Sequence, residues 1–247
     1  MKLALCLFHR NENRYLPEWF EHHRGCGVSH FYIYDNGSDS RVEEGPDVTV
    51  VDFAADQAIG KQMRAYFHCH SSHRQRHDWI GFLDTDEFIV GDLVGLLKRL
   101  RFGWLNPVVQ VSISTRLYGS NGQEVEPSRQ FGSYGRHWLP NDHVKSFVHC
   151  RTTMRHVPGD PHFFPCRGRS VNVRREPIDG PIAPHIDGPV VIDHYYTRSR
   201  QEWAEKCRRG RGDGCGHRTM EEFDAFNDQV TDHVKALVRP RADQPPA

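Results

Sequence analysis

The chain has 247 residues, and its 32 basic and 32 acidic side chains leave no net charge when its 17 histidines are neutral. Such a length suits one α/β domain, and the even balance excludes the strong basic bias of a dedicated nucleic-acid binder. The longest early apolar run, Leu3 to Phe8, is too short to cross a bilayer and has no small-residue cleavage site after it. No transmembrane segment or signal peptide is expected, which leaves room only for peripheral membrane contact.

Leu3 to Phe8 reads as a buried strand. Tyr15 to Arg24 follows as a helix, with Tyr15, Leu16, Trp19 and Phe20 near helical spacing, Pro17 in its first turn and Gly25 and Gly27 as its stop. His30 to Tyr34 is a second strand ending in Asp35-Asn-Gly-Ser38, and Val48 to Phe53 a third. A helix is expected over Asp56 to His73, then a strand from Trp79 to Leu83 running into Asp84. Strands alternating with helices imply a mostly parallel sheet covered on both faces. Ligands bind such sheets beyond the carboxyl ends of the strands, which is where Arg10-Asn-Glu12, Asp35-Asn36 and Asp84-Thr-Asp86 fall.

A helix from Leu93 to Arg101 and a strand from Pro107 to Ser114 come next. The stretches Thr115 to Asn141 and Pro158 to Pro189 read as long loops, which in a compact domain are usually functional. A short strand, Val190 to Ile192, precedes helices over Ser199 to Arg209 and Thr219 to Val238, separated by a glycine-rich linker from Gly210 to Gly216. Arg239 to Ala247 reads as a frayed tail. No repeat and no domain boundary stands out, so one domain over 1–238 is expected.

The cysteines (Cys6, Cys26, Cys69, Cys150, Cys166, Cys207, Cys215) are odd in number, scattered and without a Cys-x-x-Cys pair. That is the pattern of reduced thiols in a cytoplasmic protein.

Asp84 and Asp86, one residue apart at the mouth of a buried strand, can share a divalent cation that also binds phosphate oxygens. An Asp-x-Asp string alone is weak, because such pairs often only satisfy loop amides. Its surroundings add to it. The run Trp79-Ile-Gly-Phe-Leu-Asp-Thr-Asp-Glu-Phe-Ile-Val90 resembles the W-x-x-x-x-D-x-D-E-F segment of family 92-type and related family 2-like glycosyltransferases. Asn11-Glu12, Leu16-Pro-Glu-Trp19 with His23, and Tyr34-Asp-Asn-Gly-Ser38 are similar to that family's opening unit. Leu117-Tyr-Gly-Ser-Asn-Gly122, Val144-Lys-Ser146, Asp193-His-Tyr-Tyr-Thr-Arg-Ser199 and Glu205-Lys-Cys-Arg-Arg-Gly210 follow in the family's order.

The resemblance implies a GT-A fold, that is, one Rossmann-like α/β/α domain with a mostly parallel central sheet. It also implies a nucleoside-diphosphate sugar as donor, a glycan or other hydroxyl-bearing acceptor, and Mn2+ or Mg2+. Carried over by residue, Asp84, Asp86 and His194 would hold the metal; imidazole suits manganese. Asn11, Glu12, Asp35 and Asn36 would line the nucleoside pocket, though Asp-Asn-Gly-Ser also suits a plain turn. Lys61, Arg64, Lys145, Arg198, Lys206 and Arg209, with Tyr195 beside His194, are candidates for the donor's diphosphate side. Glu87 is either a support for the aspartates, an acceptor contact or the cap of the following helix.

An inverting transfer also needs a base for the acceptor hydroxyl. Glu124, Asp142 and His162 lie in suitable loops and the sequence does not rank them. The chain departs from the family at Ser128-Arg-Gln-Phe131, which lacks a glutamate many relatives carry, and at Asp193, where asparagine is usual.

His68, His70, His73 and His77 raise the alternative of a zinc module, but one nearby cysteine and the interspersed Arg74 and Arg76 favour an exposed polar helix face. A catalytically silent sugar-nucleotide or glycan binder on the same scaffold is a second alternative. A nucleotidyltransferase is a third, weakened by Phe8-His-Arg-Asn-Glu12 standing where a glycine-rich phosphate loop would be.

Overall fold

The computed structural model describes residues 1–54, 60–100, 107–155, 159–210 and 217–238. They fall into two compact units interleaved in sequence. Met1–Arg116 and Pro140–His194 supply the described part of the first, and Leu117–Leu139, 195–210 and 217–238 that of the second.

The first unit opens with β1 (Leu3–His9), whose residues are almost all buried. It is continuously apolar because it runs between parallel neighbours with both faces covered. Helix α1 (Leu16–Gly25) starts on Pro17 after a 3-10 turn at Asn13–Tyr15. It stops where Gly27 takes φ +86°, and a Cβ there would meet Val94 Cγ2 at 2.9 Å. Strands β2 (His30–Asp35) and β3 (Val48–Asp52) follow, then α2 (Lys61–His73) and β4 (Trp79–Phe82). The helix expected from Asp56 thus begins at Lys61; residues 56–59 lie outside the described ones.

β5 (Glu87–Gly91) comes directly after the Asp-x-Asp turn, and the helix that follows it, α3 (Leu93–Arg99), is capped by Asp92, whose Oδ1 accepts from Gly95 N at 2.7 Å. Glu87 is therefore no helix cap. The remaining strands are β6 (Val108–Tyr118), β7 (Trp138–His149), β8 (Arg169–Val171) and β9 (Val190–His194). β6 and β7 extend into both ends of the stretch expected to be a loop, because their outward polar residues hide the alternation that marks a strand.

Among the described residues the strands form one sheet in the order β3-β2-β1-β4-β7-β6-β9-β5, with β8 beside β6. β3, β2, β1 and β4 are parallel, as are β6 and β8, while β4·β7 and β5·β9 are antiparallel. This is the expected α/β architecture with a mostly parallel sheet. Gly81 of β4 pairs with Phe147 of β7, and a Cβ on Gly81 would sit 2.3 Å from the Phe147 ring, so only glycine fits. Met63, Ala65, Tyr66 and Cys69 of α2 pack on Ala4, Cys6, Tyr34, Ile80 and Phe82 to form the core beneath the strand ends.

In the second unit, α4 (Arg200–Arg209) opens with a capping box between Ser199 and Glu202. The long helix α5 (Met220–Val238) follows. The Trp203 indole donates to Thr219 O at 2.7 Å, Tyr134 OH to Glu202 Oε2 at 2.7 Å, and Asn227 Oδ1 accepts from Ser120 N at 2.6 Å. No helix among the described residues is long and apolar enough to cross a membrane. The expected linker beyond Gly210 and the tail from Arg239 lie outside the described residues.

Candidate functional site

Asp84, Thr85 and Asp86 form the turn between β4 and β5, at the carboxyl end of the central strands. Backbone and side chain close it together: Glu87 N donates to Asp84 O at 3.1 Å and Asp84 N to Glu87 Oε2 at 2.9 Å. From α1, the Trp19 indole N–H forks to Asp84 O at 3.1 Å and Glu87 O at 3.0 Å. Thr85 Oγ1 donates to Glu12 Oε2 at 2.7 Å, tying the end of β1 to the same turn.

The turn concentrates negative charge in a dry place. Asp86 is 7% exposed and Glu87 0%. Lys145 of β7 answers it, its ammonium 2.8 Å from Asp84 Oδ2 and 2.9 Å from Glu87 Oε2. Burial works against the Lys145 charge, but the Asp84 and Glu87 carboxylates outweigh it and raise its pKa above the ordinary lysine value. Gln62 of α2 donates to Asp84 Oδ1 at 3.2 Å. The β5·β9 register sets Glu87 opposite His194. The imidazole then lies between two carboxylates, Nε2 3.6 Å from Asp86 Oδ1 and Nδ1 3.5 Å from Glu87 Oε1.

Glu87 Oε1 is buried with no hydrogen-bond partner within bonding distance and faces His194 Nδ1, an arrangement that turns His194 Nε2 toward Asp86. A carboxylate oxygen and an imidazole nitrogen side by side suit Mn2+ or Mg2+, ions that complete their shells with water and phosphate oxygens. No group of three acidic, histidine or cysteine side chains among the described residues makes a metal cage by itself. Asp86 and His194 are the pair that fits an ion, with Asp84 held beside them by Lys145 and Gln62.

The remaining candidates sort by where the fold puts them. Asp35 Oδ1 accepts from Ser38 N and Oγ at 3.0 and 2.6 Å, a turn bond, while Asn36 Oδ1 accepts from Lys61 Nζ at 3.2 Å at the start of α2. Arg64 stands one turn further along that helix. Asn11, at φ 55°, exchanges two hydrogen bonds with Asp39 at 3.0 and 2.8 Å. Asn11, Glu12, Asp35, Asn36 and Lys61 thus share the carboxyl edge of β1 and β2.

Asp142 pairs with His143 Nδ1 at 2.9 Å, and the His162 imidazole pairs with Asp160. Tyr195, Arg198, Lys206 and Arg209 belong to the second unit. There Tyr195 stacks among Tyr118 and Tyr134 at 5.1 and 5.3 Å, and Lys206 Nζ donates to Tyr196 O at 2.7 Å. Glu124, in the same unit, lies 3.7 Å from the Arg200 guanidinium.

Gln62, Asp160 and the role of the Trp19 indole escaped the sequence reading. Nothing in a single glutamine or tryptophan reports a contact that depends on α1 and α2 docking over β4. The histidines of α2 and the turn after it differ from expectation in part: His68 is exposed, but His70, His73 and His77 do not form an open polar face. His70 is 1% exposed, His73 stacks on Tyr32 at 4.0 Å and 11°, and His68 and His77 meet the hydroxyls of Tyr34 and Tyr32 at 2.7 and 2.8 Å. Burial holds the His70, His73 and His77 pKa values down at about 4.

Residues 2–94 match the family model described as Glycosyltransferase family 92. A family 92 glycosyltransferase protein of Ricinus communis is 26% identical over 220 residues, covering 84% of this chain and 38% of that protein. One of Oryza sativa subsp. japonica is 32% identical over 94 residues, covering 35% of this chain and 16% of that protein. The chain therefore spans well under half the length of these relatives. A solved CMP:2-keto-3-deoxy-manno-octonic acid synthetase complexed with CTP superposes at TM-score 0.36 and 10% identity, over 61% of this chain and 75% of that one. A likeness that loose carries no argument about chemistry.

Proposed function

We propose, on the premise that this chain is a glycosyltransferase of the family 92 type, that it moves a hexose-type sugar from a nucleoside-diphosphate donor to a hydroxyl of a glycan or related acceptor, with inversion. The observation that carries the reading is the turn after β4, where Asp84 and Asp86 meet Glu87, Lys145 and His194 from three separate strands. Asn11, Glu12, Asp35 and Asn36 would read the nucleoside from the neighbouring strand ends, and Lys61 and Arg64 would face the diphosphate.

Asp86 and His194 would hold Mn2+ or Mg2+, which when bound supplies charge stabilisation for the departing nucleoside diphosphate. Glu87 keeps His194 Nδ1 occupied, and Lys145 holds Glu87 and Asp84 in place. Trp19 holds the turn's backbone so that neither carboxylate has to reorganise during transfer.

A thermal-shift screen of uridine and guanosine diphosphate hexoses, with and without Mn2+, tests the reading. One donor is expected to raise the melting temperature selectively in the presence of the ion, with slow release of the nucleoside diphosphate. No stabilisation by any donor would refute it. Stabilisation without turnover on any acceptor would instead point to a silent binder.

A further inference from the structure

Three residues were candidates for the acceptor's base; Asp142 falls within β7 rather than in the expected loop, and the surroundings separate the three. Glu124 is 72% exposed beside Arg200. Asp142 is 62% exposed and paired with His143 on the protein surface. His162 differs from both. Its Nδ1 faces Asp160 Oδ1 in a close contact, Asp160 Oδ1 also accepts from His162 N at 2.9 Å, and the imidazole is only 27% exposed. Burial pushes the Asp160 carboxyl up, but its bonds to His162 outweigh that and hold it below the usual carboxylate range. Nε2 of His162 makes no hydrogen bond among the described residues. A ring held through Nδ1 by a carboxylate, with Nε2 left over, is the arrangement of a histidine base and its orienting group.

Neighbouring contacts tie the segment that carries this ring to β7 and to the carboxyl end of β4. Ser146 Oγ donates to His162 O at 2.6 Å, and Ser146 follows Lys145, whose ammonium touches Asp84. Two residues on, Phe164 packs against Phe82 at 4.5 Å, just before the turn, and against Tyr66 at 6.2 Å, one helical turn from Gln62, which also touches Asp84. The segment from Asp160 to Phe164 therefore runs along the carboxyl end of β4. Among the described residues, His143 also lies by the His162 ring, its centroid 5.4 Å away, with Asp142 behind it.

We propose that His162, oriented by Asp160, is the base that takes the acceptor's proton. The proposal rests on the glycosyltransferase reading above. In the step, His162 Nε2 accepts the hydroxyl proton as the acceptor oxygen bonds to the anomeric carbon. The bond from that carbon to the diphosphate oxygen breaks, and its electron pair leaves with the nucleoside diphosphate. The imidazolium formed is stabilised by Asp160.

The test uses the full chain, Mn2+ and the donor that stabilises it. It measures nucleoside diphosphate release with water as acceptor and with a panel of free mono- and disaccharides. His162→Ala is expected to lower the turnover rate about 100- to 10,000-fold, the range of a general base, with the donor's thermal shift unchanged. Asp160→Asn is expected to lower turnover about tenfold or more with the donor KM unaltered, and imidazole added to His162→Gly to restore part of the rate. Turnover of His162→Ala within threefold of the original, or a loss that imidazole does not restore in a folded His162→Gly, overturns the assignment. If His162→Ala melts early, the His162→Gln comparison at a lower temperature decides in the same way. Failure of the original chain to bind any donor would be a failure of the glycosyltransferase reading and would remove this one with it.

Discussion

Two regions of the first unit are dense in titratable side chains, and burial treats them in opposite ways. At the turn after β4, Asp84 and Glu87 gather around the Lys145 ammonium at 2.8 and 2.9 Å, and the two carboxylates raise the Lys145 pKa against the effect of burial. At the end of α2 and just after it, His73 and His77 lie against Tyr32, and burial pulls their pKa values down to about 4. A group that must carry charge in a low-dielectric place needs its counter-charge delivered by another element. A group that only has to pack can discharge its proton. The first arrangement is costly and suits chemistry; the second is a core made of histidine.

The sharpest way to break this contrast is at the charged end. Asp86→Ala is expected to lower sugar transfer about a thousandfold, the scale of losing a main electrostatic group, and to remove the Mn2+-dependent part of donor stabilisation. A variant with wild-type turnover would mean that the turn is structural. Lys145→Met comes next. It leaves Glu87, which is 0% exposed, without its ammonium partner, so urea unfolding is expected to show a loss of about 3–5 kcal/mol. A loss below about 1 kcal/mol would show that the ammonium is not what holds the cluster.

The histidine region is expected to respond to acid. Its folded-state pKa values of about 4 for His70, His73 and His77, and about 3 for His23, lie below the unfolded value near 6.5. The unfolded chain therefore binds more protons between those limits. Stability is complete above about pH 6.5 and falls as the pH drops toward 4. Melting temperatures between pH 7 and pH 4.5 check this, and His73→Phe, which keeps the stack on Tyr32, is expected to flatten the fall. An acid profile unchanged by that substitution would take His73 out of the account.

The smallest effect is expected at Trp19→Phe. Losing the forked indole N–H should cost about 1–3 kcal/mol for the two carbonyl oxygens it leaves, with a moderate drop in turnover as the turn loosens. Wild-type stability and rate together would show that water replaces it.

The parallel half of the sheet was legible because β1, β2 and β4 are short, apolar runs between turn residues, a pattern that depends only on their being buried on both faces. The edge where Asn11, Asp35 and Asp84 gather was legible for the same reason, since parallel strands carry their polar ends to one side. β5 was not, because Glu87 to Gly91 follows its neighbour too closely to look separate, and β7 was not beyond Val144 to Ser146, because its first half is polar. His70 and His73 of α2 were misjudged as part of an exposed face because helical spacing does not show what the fold lays across from them, Tyr32 of β2 in the case of His73.

By itself the sequence determined the aspartate pair, the order of the motifs around it and the alternation that builds the sheet, all of which are written in neighbouring residues. Only the tertiary structure decided what those aspartates live beside. Lys145 and His194 come from distant strands through sheet register, Gln62 and Trp19 from helices docked over β4, and His162 is paired with Asp160 and held through its carbonyl by Ser146. Counter-charge and orientation are relations between elements, so they exist only once the chain has folded.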